Sequence, residues 1–289
     1  MKINYSINNQ SCTADLSKPL DISIPLKEGK QNPSCYYAEE PTFETIRFGE
    51  SFVGSVAEEG ACNYQKVMIT PHGNGTHTEC YGHLNNQEEN KVTINQSLKT
   101  FWFVARLISL EPTQLTKEDL ENEKFSKLKE IAEVGDEVIL KKNLDEKLNE
   151  LEKDNNSISY EALIIRTLPN EEDKKTRQYS GQNPPYLEPS IGEFLAQKNI
   201  NHLLLDLPSV DRESDKGKLS VHKGFWSILT DKNHKKNFSE VRATATITEL
   251  IFVDNKIKDG IYLLNLQIPS LEIDAVPSKP VLYEISKST

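Results

Sequence analysis

TPHGNGTHTECYGHL, residues 70–84, carries three of the six histidines in this 289-residue chain: His72, His77 and His83. Glu79 sits among them, and Gly73, Gly75 and Gly82 are interspersed. His77, Glu79, Tyr81 and His83 are spaced two apart, so an extended chain turns all four to one face. A helix would scatter them. The glycines instead suit backbone held close to a neighbour or turned to positive φ. Two imidazoles and a carboxylate on one edge make half of a site for Zn²⁺ or Mn²⁺, which take His nitrogen and carboxylate oxygen. The plainer alternative is a polar loop whose histidines bond backbone; the clustering favours the metal. Cys80 falls on the opposite side of the alternation and reads as a spectator.

Outward from this stretch, short apolar runs recur. They are KVMIT (66–70), FWFVARLISL (101–110), DEVILKK (136–142), ALIIRT (162–167), INHLLLDLP (200–208), TATITELIFVD (244–254) and GIYLLNLQIP (260–269). Each is of strand length and bounded by Gly, Pro, Asn or Asp, and several read as buried strands. Helices are expected over 116–131, with Thr116 as N-cap, and over 144–154, where Leu144, Leu148 and Leu151 share a stripe. A third is expected over 190–200, with Ser190 and Glu193 forming a capping box. The mixture reads as α/β with a strand majority. The charged stretches 170–177 and 231–240 read as surface loops, because they supply no core.

Net charge is −10 and the cations are scattered, which argues against nucleic acid or an anionic membrane as partner. No apolar run approaches the roughly 20 residues that span a bilayer. The start, MKINYSINNQ, lacks the apolar core of a signal peptide. Cys12, Cys35, Cys62 and Cys80 show no CxxC pairing and read as reduced thiols of a cytoplasmic protein.

GTHTECYGH (75–83) resembles the core motif H-x-G-T-H-x-D-x-P-x-H of the metal-dependent cyclase family, which includes bacterial kynurenine formamidases and isatin hydrolases. The resemblance extends in order along the chain. DLSKPLDISIPL (15–26) is similar to the family's opening, and ALIIRT with PPYL (184–187) to its R-T strand and loop. LLLDLPSVDR (203–212) resembles its G-x-D-x-P-S-x-D segment, and LSVHKGF (219–225) its late histidine. TITELIFVD (246–254) is similar to its late glutamate strand, and IDAVPSKPVLYEI (273–285) to its closing strand.

The resemblance implies a single domain over 1–289, a β-rich swivelling β/β/α fold of the cyclase and kynurenine formamidase type. Insertions are expected near 112–157 and 231–243, and a homodimer or homotetramer is implied. It implies His77, Glu79, His222 and Glu249 as metal ligands and His83 as catalytic acid/base, acting with one or two Zn or Mn ions. Glu249 is informative by itself, as the one acid in an apolar strand, where it costs energy unless paired or metal-bound.

Three departures mark a divergent branch. An extra residue stands in HGNGTH, so His72 reaches the metal only if the loop bulges. Glu79 replaces the aspartate, and Tyr81 the proline, next to the substrate entry. Tyr36, Tyr37 and Phe43 occupy the region of the family's aromatic pocket and suit a pocket wall or a core equally. Asp206 and Asp211 suit either orientation of ligand histidines or turns. Trp102 and Trp226 read as core, and His202 and His234 as surface or structural.

The expected activity is metal-dependent hydrolysis of an amide, formamide or cyclic amide of a small molecule. Rival readings are a non-catalytic metal or small-molecule binding protein, a lactone or ester hydrolase, and a dehydratase.

Overall fold

The computed structural model describes residues 1–7, 10–86, 88, 91–153, 158–231 and 235–287. Its centre is an eleven-stranded mixed sheet. Trp102–Leu110, Ala162–Thr167, His202–Leu205 and Thr246–Glu249 lie side by side and parallel. Beyond Thr246–Glu249, His77–Glu79 adds antiparallel, and Ala275–Pro277 adds antiparallel to that. On the other flank, Gly260–Gln267, Lys279–Lys287, Gln10–Asp15 and Lys2–Ile7 follow in antiparallel steps. The fold is thus α/β with few helices, as the apolar runs indicated.

The parallel strands are largely apolar because both faces are covered. Leu163, Ile165, Leu203 and Leu205 face helical residues Leu144, Leu148, Leu195, Phe225 and Trp226. Their alternates Ala162, Ile164 and Leu204 pack on the opposite face with Ile22, Ile94 and Leu98. The helices Ile191–Gln197 and Ser220–Trp226 approach unusually closely. A Cβ on Gly192 would stand 2.1 Å from the Val221 carbonyl oxygen, and one on Gly224 2.7 Å from the Glu193 nitrogen. Glycine is required at both contacts.

Several expectations need correction. The 116–131 helix is one turn, Lys117–Glu121, capped by Thr116, followed by 3₁₀ turns at Glu123–Phe125 and Leu128–Glu130. Leu120, Phe125, Leu128 and Ile131 form no single helical stripe, and the breaks let them close around Val138, Leu140 and Tyr186. The next helix starts a turn early, Lys141–Lys153, and residue 154 lies outside the described residues. Ser190 is itself helical and makes no capping bond; its hydroxyl donates to Glu188, so the capping box is absent and the helix is Ile191–Gln197.

The charged loops are not purely surface. Lys174 is buried and bonds Asp206 and the Thr167 carbonyl. Phe238 and Val241 pack against the helical-face core. Trp102 is 45 % exposed, whereas Trp226 is fully buried. His202 is buried, bonded to the Thr246 hydroxyl, and His234 lies outside the described residues. All four cysteines are free thiols. Among the described residues no helix is long and apolar enough to cross a membrane.

Candidate metal centre

His77–Glu79 sits between two strands, and that register builds the site. His77 lies opposite Glu249 on one side and Pro277 on the other, and Glu79 opposite Ala275. His77 and Glu79 share a face, as alternation requires. Thr78 points the other way and bonds the Thr248 and Ser278 hydroxyls. The extended segment ends there. Cys80 is buried among Ile22, Ile94 and Val276, where burial pushes its thiol up to about 11. Tyr81–Leu84 is a 3₁₀ turn, so the expected four-residue face stops at Glu79. The turn nevertheless returns His83 to the cluster, its ring centroid 4.3 Å from that of His72 and 5.7 Å from that of His222.

The extra residue of HGNGTH is absorbed in one helical turn, Pro71–Asn74. Asn74 closes it, accepting from the Thr70 N–H and donating to the Glu39 carbonyl. Gly73 is needed there, because a Cβ would meet Ala38 at 2.3 Å. The turn carries His72 to the cluster, with its Nδ1 3.3 Å from Glu79 Oε2.

Glu249 ends its strand, and Leu250 then turns the chain through a left-handed conformation, φ 53°. The Val210 N–H donates to Glu249 Oε1 (2.9 Å), while Oε2 faces His77 Nε2 at 3.3 Å. His222 enters on its short helix, and Asp211 holds it three ways. Its carboxylate accepts from the Val221 and His222 backbone N–H groups and from His222 Nδ1 at 2.7 Å. That fixes His222 Nε2 toward Glu79 Oε1 at 3.0 Å. Asp211 therefore orients a histidine of the cluster; Asp206 instead serves Thr167 and Lys174.

Two buried atoms here have no hydrogen-bond partner, His77 Nε2 and Glu79 Oε2. His77 Nδ1 is engaged with the Gly75 carbonyl at 2.9 Å, so it carries a proton, and in the neutral ring Nε2 presents a lone pair. Orphaned buried acceptors are costly in a native protein. A cation among them resolves the cost, and imidazole with carboxylate is a donor set that Zn²⁺ and Mn²⁺ accept. The residues fit a divalent metal. His72 with His77 and Glu79, and Glu79 with His83 and His222, form groups whose ligand atoms lie within 4.8 Å of one another.

Burial by itself would raise Glu79, but the neighbouring imidazoles of His83 and His222 hold it down at about 2. Burial opposes charging of His77 and His222, yet both are raised, by Glu249 and by Glu79 with Asp211 respectively. Asp274, which sequence reasoning did not assign, joins from the segment preceding Ala275–Pro277. Burial would raise it, but hydrogen bonds from His72 and His83 hold it far below the usual carboxylate range.

A cavity of about 320 Å³ opens onto the cluster, lined by Tyr36, His72, Glu79, His83, Arg212, Leu219, His222 and Glu249 among others. Larger grooves lie elsewhere on the surface, but the histidine cluster converges on this one. Tyr36 lines the cavity from a left-handed backbone, φ 53°, and burial, aided by the Glu249 charge, pushes its phenol upward. Tyr37 is largely exposed, Phe43 pairs with Val67 in a peripheral hairpin, and Tyr81 packs near Phe238. None of these three lines the cavity.

A family model described as Cyclase matches residues 14–212. Among curated proteins, none matches the chain in sequence. Solved structures share its fold. One is a potential metal-dependent hydrolase with cyclase activity (16 % identity, TM-score 0.57), aligned over 94 % of this chain and 99 % of that one. Another is isatin hydrolase A from Labrenzia aggregata bound to benzyl benzoate (12 %, 0.56), over 92 % and 93 %. A third is an isatin hydrolase bound to the product analogue thioisatinate (11 %, 0.53), over 94 % and 93 %.

Proposed function

Because the chain belongs to the Cyclase family, we propose that it is a metal-dependent hydrolase acting on an amide, formamide or cyclic amide of a small molecule. The reaction class follows relatives named metal-dependent hydrolase and isatin hydrolase. The observation that carries the metal is the pair of buried, unbonded atoms His77 Nε2 and Glu79 Oε2, each 3.3 Å from a further donor. His72, His77, Glu79, His222 and Glu249 would hold Zn²⁺ or Mn²⁺. When bound, such an ion polarises a carbonyl and brings the ionisation of water toward neutral pH.

The protein's own groups do the rest. His83 stands at the cavity wall with its side chain 32 % exposed, between the cluster and the open cavity. It takes a proton from the attacking water and returns it to the leaving nitrogen, a task suited to imidazole. Asp211 keeps His222 from rotating, and Trp226, buried behind that ring at 5.4 Å, excludes water from that side.

The cavity sits at the small end of ligand sites, so the substrate is compact. Arg212 is engaged with Asp136 at 2.8 Å, and Glu213 and Asp215 share the wall, which disfavours a net anionic substrate.

Elemental analysis of protein purified without chelator, with turnover of neutral formanilides measured beside it, tests this reading. Stoichiometric zinc or manganese, and hydrolysis that stops on metal removal, are expected. Metal-free, unreactive protein overturns it. Metal-loaded protein that cleaves lactones or esters but no amide shifts the substrate class.

A further inference from the structure

One oxygen of Asp274 touches two histidines of the site. Oδ2 lies 3.1 Å from His72 Nε2 and 3.4 Å from His83 Nδ1. An ionised carboxylate only accepts hydrogen bonds, so each of those nitrogens carries the proton. A neutral imidazole has a single N–H, and its other nitrogen is then a lone pair. For His72 the lone pair falls on Nδ1, the atom that sits 3.3 Å from Glu79 Oε2 inside the cluster. For His83 it falls on Nε2, on a ring that lines the cavity.

The backbone around Asp274 is firmly held. The Cys80 N–H donates to its carbonyl (3.1 Å) and the Ile94 N–H to that of Ile273 (2.8 Å). Asn95 donates to the Leu271 carbonyl, and the Thr93 hydroxyl donates to Glu272. The next residue, Ala275, is registered opposite Glu79. Sheet register and this strap bring the carboxylate to the two rings together.

We propose that Asp274 is a positioning residue that sets both tautomers at once. It commits His72 Nδ1 to the metal and leaves Nε2 as the basic nitrogen of His83. The first half rests on reading the cluster as a metal centre; the second does not. One carboxylate thereby couples metal retention to proton transfer.

Long-range ¹H–¹⁵N spectra of ¹⁵N-histidine-labelled full-length protein read ring tautomers directly. They would be recorded without metal and with zinc, at about pH 8.5, two units above the ordinary imidazole value. The wild type should show His83 protonated on Nδ1 and His72 on Nε2. In Asp274→Ala, His83 should revert toward the Nε2–H form. Competition with a chromophoric chelator should show zinc affinity reduced about 10- to 100-fold, the usual effect of losing a partner of a ligand histidine.

Asp274→Asn, similar in shape and keeping one acceptor oxygen, should fall between, and unchanged His202 signals would report an intact fold. If the alanine variant does not fold, the asparagine variant decides. Unchanged His72 and His83 tautomers overturn the proposal, as does zinc affinity within about twofold of wild type. A wild type that binds neither zinc nor manganese sinks the metal reading instead, and the metal-free spectra still decide whether Asp274 sets the rings.

Discussion

Glu79 and His83 stand four residues apart, and burial separates their work. Glu79 is fully buried, with one oxygen on His222 and the other unbonded, which suits a ligand. His83 is partly exposed at the cavity wall and held by one bond from Nδ1. His83→Ala is therefore expected to retain metal and lose about a hundred- to ten-thousand-fold in kcat, the range for general acid/base catalysis, with a smaller change in KM. Steady-state kinetics paired with metal analysis checks this. A metal-free mutant would make His83 a ligand. The same contrast explains Cys80. One residue past Glu79, it turns into the core and is held as a neutral thiol, so it offers no nucleophile.

The helix Ser220–Trp226 spans seven residues, too short to be stable alone. Its position comes from the Asp211 carboxylate at its first turn and from glycine contact with Ile191–Gln197. Gly192→Ala would drive a methyl group into the Val221 carbonyl, one residue from His222. The expected cost is about 1–3 kcal/mol, as for overpacking elsewhere, with weakened metal binding because the helix carries His222. Gly260→Ala is the control, since its Cβ would meet only Tyr262 at an ordinary 3.7 Å. Urea melts and chelator titration of the two variants test the pair. Equal, small effects would mean that the helix contact does not position the site.

At the scale of the whole molecule, stability reports on a histidine far from the chemistry. His202 opens a central strand, stacked near Phe103 at 3.9 Å, and burial, with the Arg242 charge, lowers it to about 4. The folded protein keeps it neutral while the unfolded chain protonates near 6.5. Between those values the unfolded state binds more protons, so stability rises with pH. The contribution is complete above about 6.5 and is lost progressively toward about 4, where the loss reaches about 3 kcal/mol. Denaturant melts across that window should slope upward with pH in the wild type. In His202→Gln the slope should flatten, leaving the other groups' titration in place. Parallel slopes would show that His202 does not titrate differently on folding.

The sequence by itself determined the strand-rich α/β class, because runs such as ALIIRT and INHLLLDLP are buried on both faces and need no partner information to be read. It also determined the pairing of His77 with Glu79 on one face, since alternation is a property of the backbone alone, and it marked Glu249 as an acid out of place. Tertiary structure decided the rest, because the deciding contacts join residues far apart in the chain. A helical turn closed by Asn74 carries His72 over the extra residue. The break of 116–131 follows from a core shared with Tyr186, and Lys174 is buried because Asp206 waits beneath it. Asp274 lies in the stretch that resembles the family's closing strand, but nothing in the sequence gives it a role. It lies about two hundred residues from His72, and the register of Ala275 against Glu79 is what brings its carboxylate to both imidazoles.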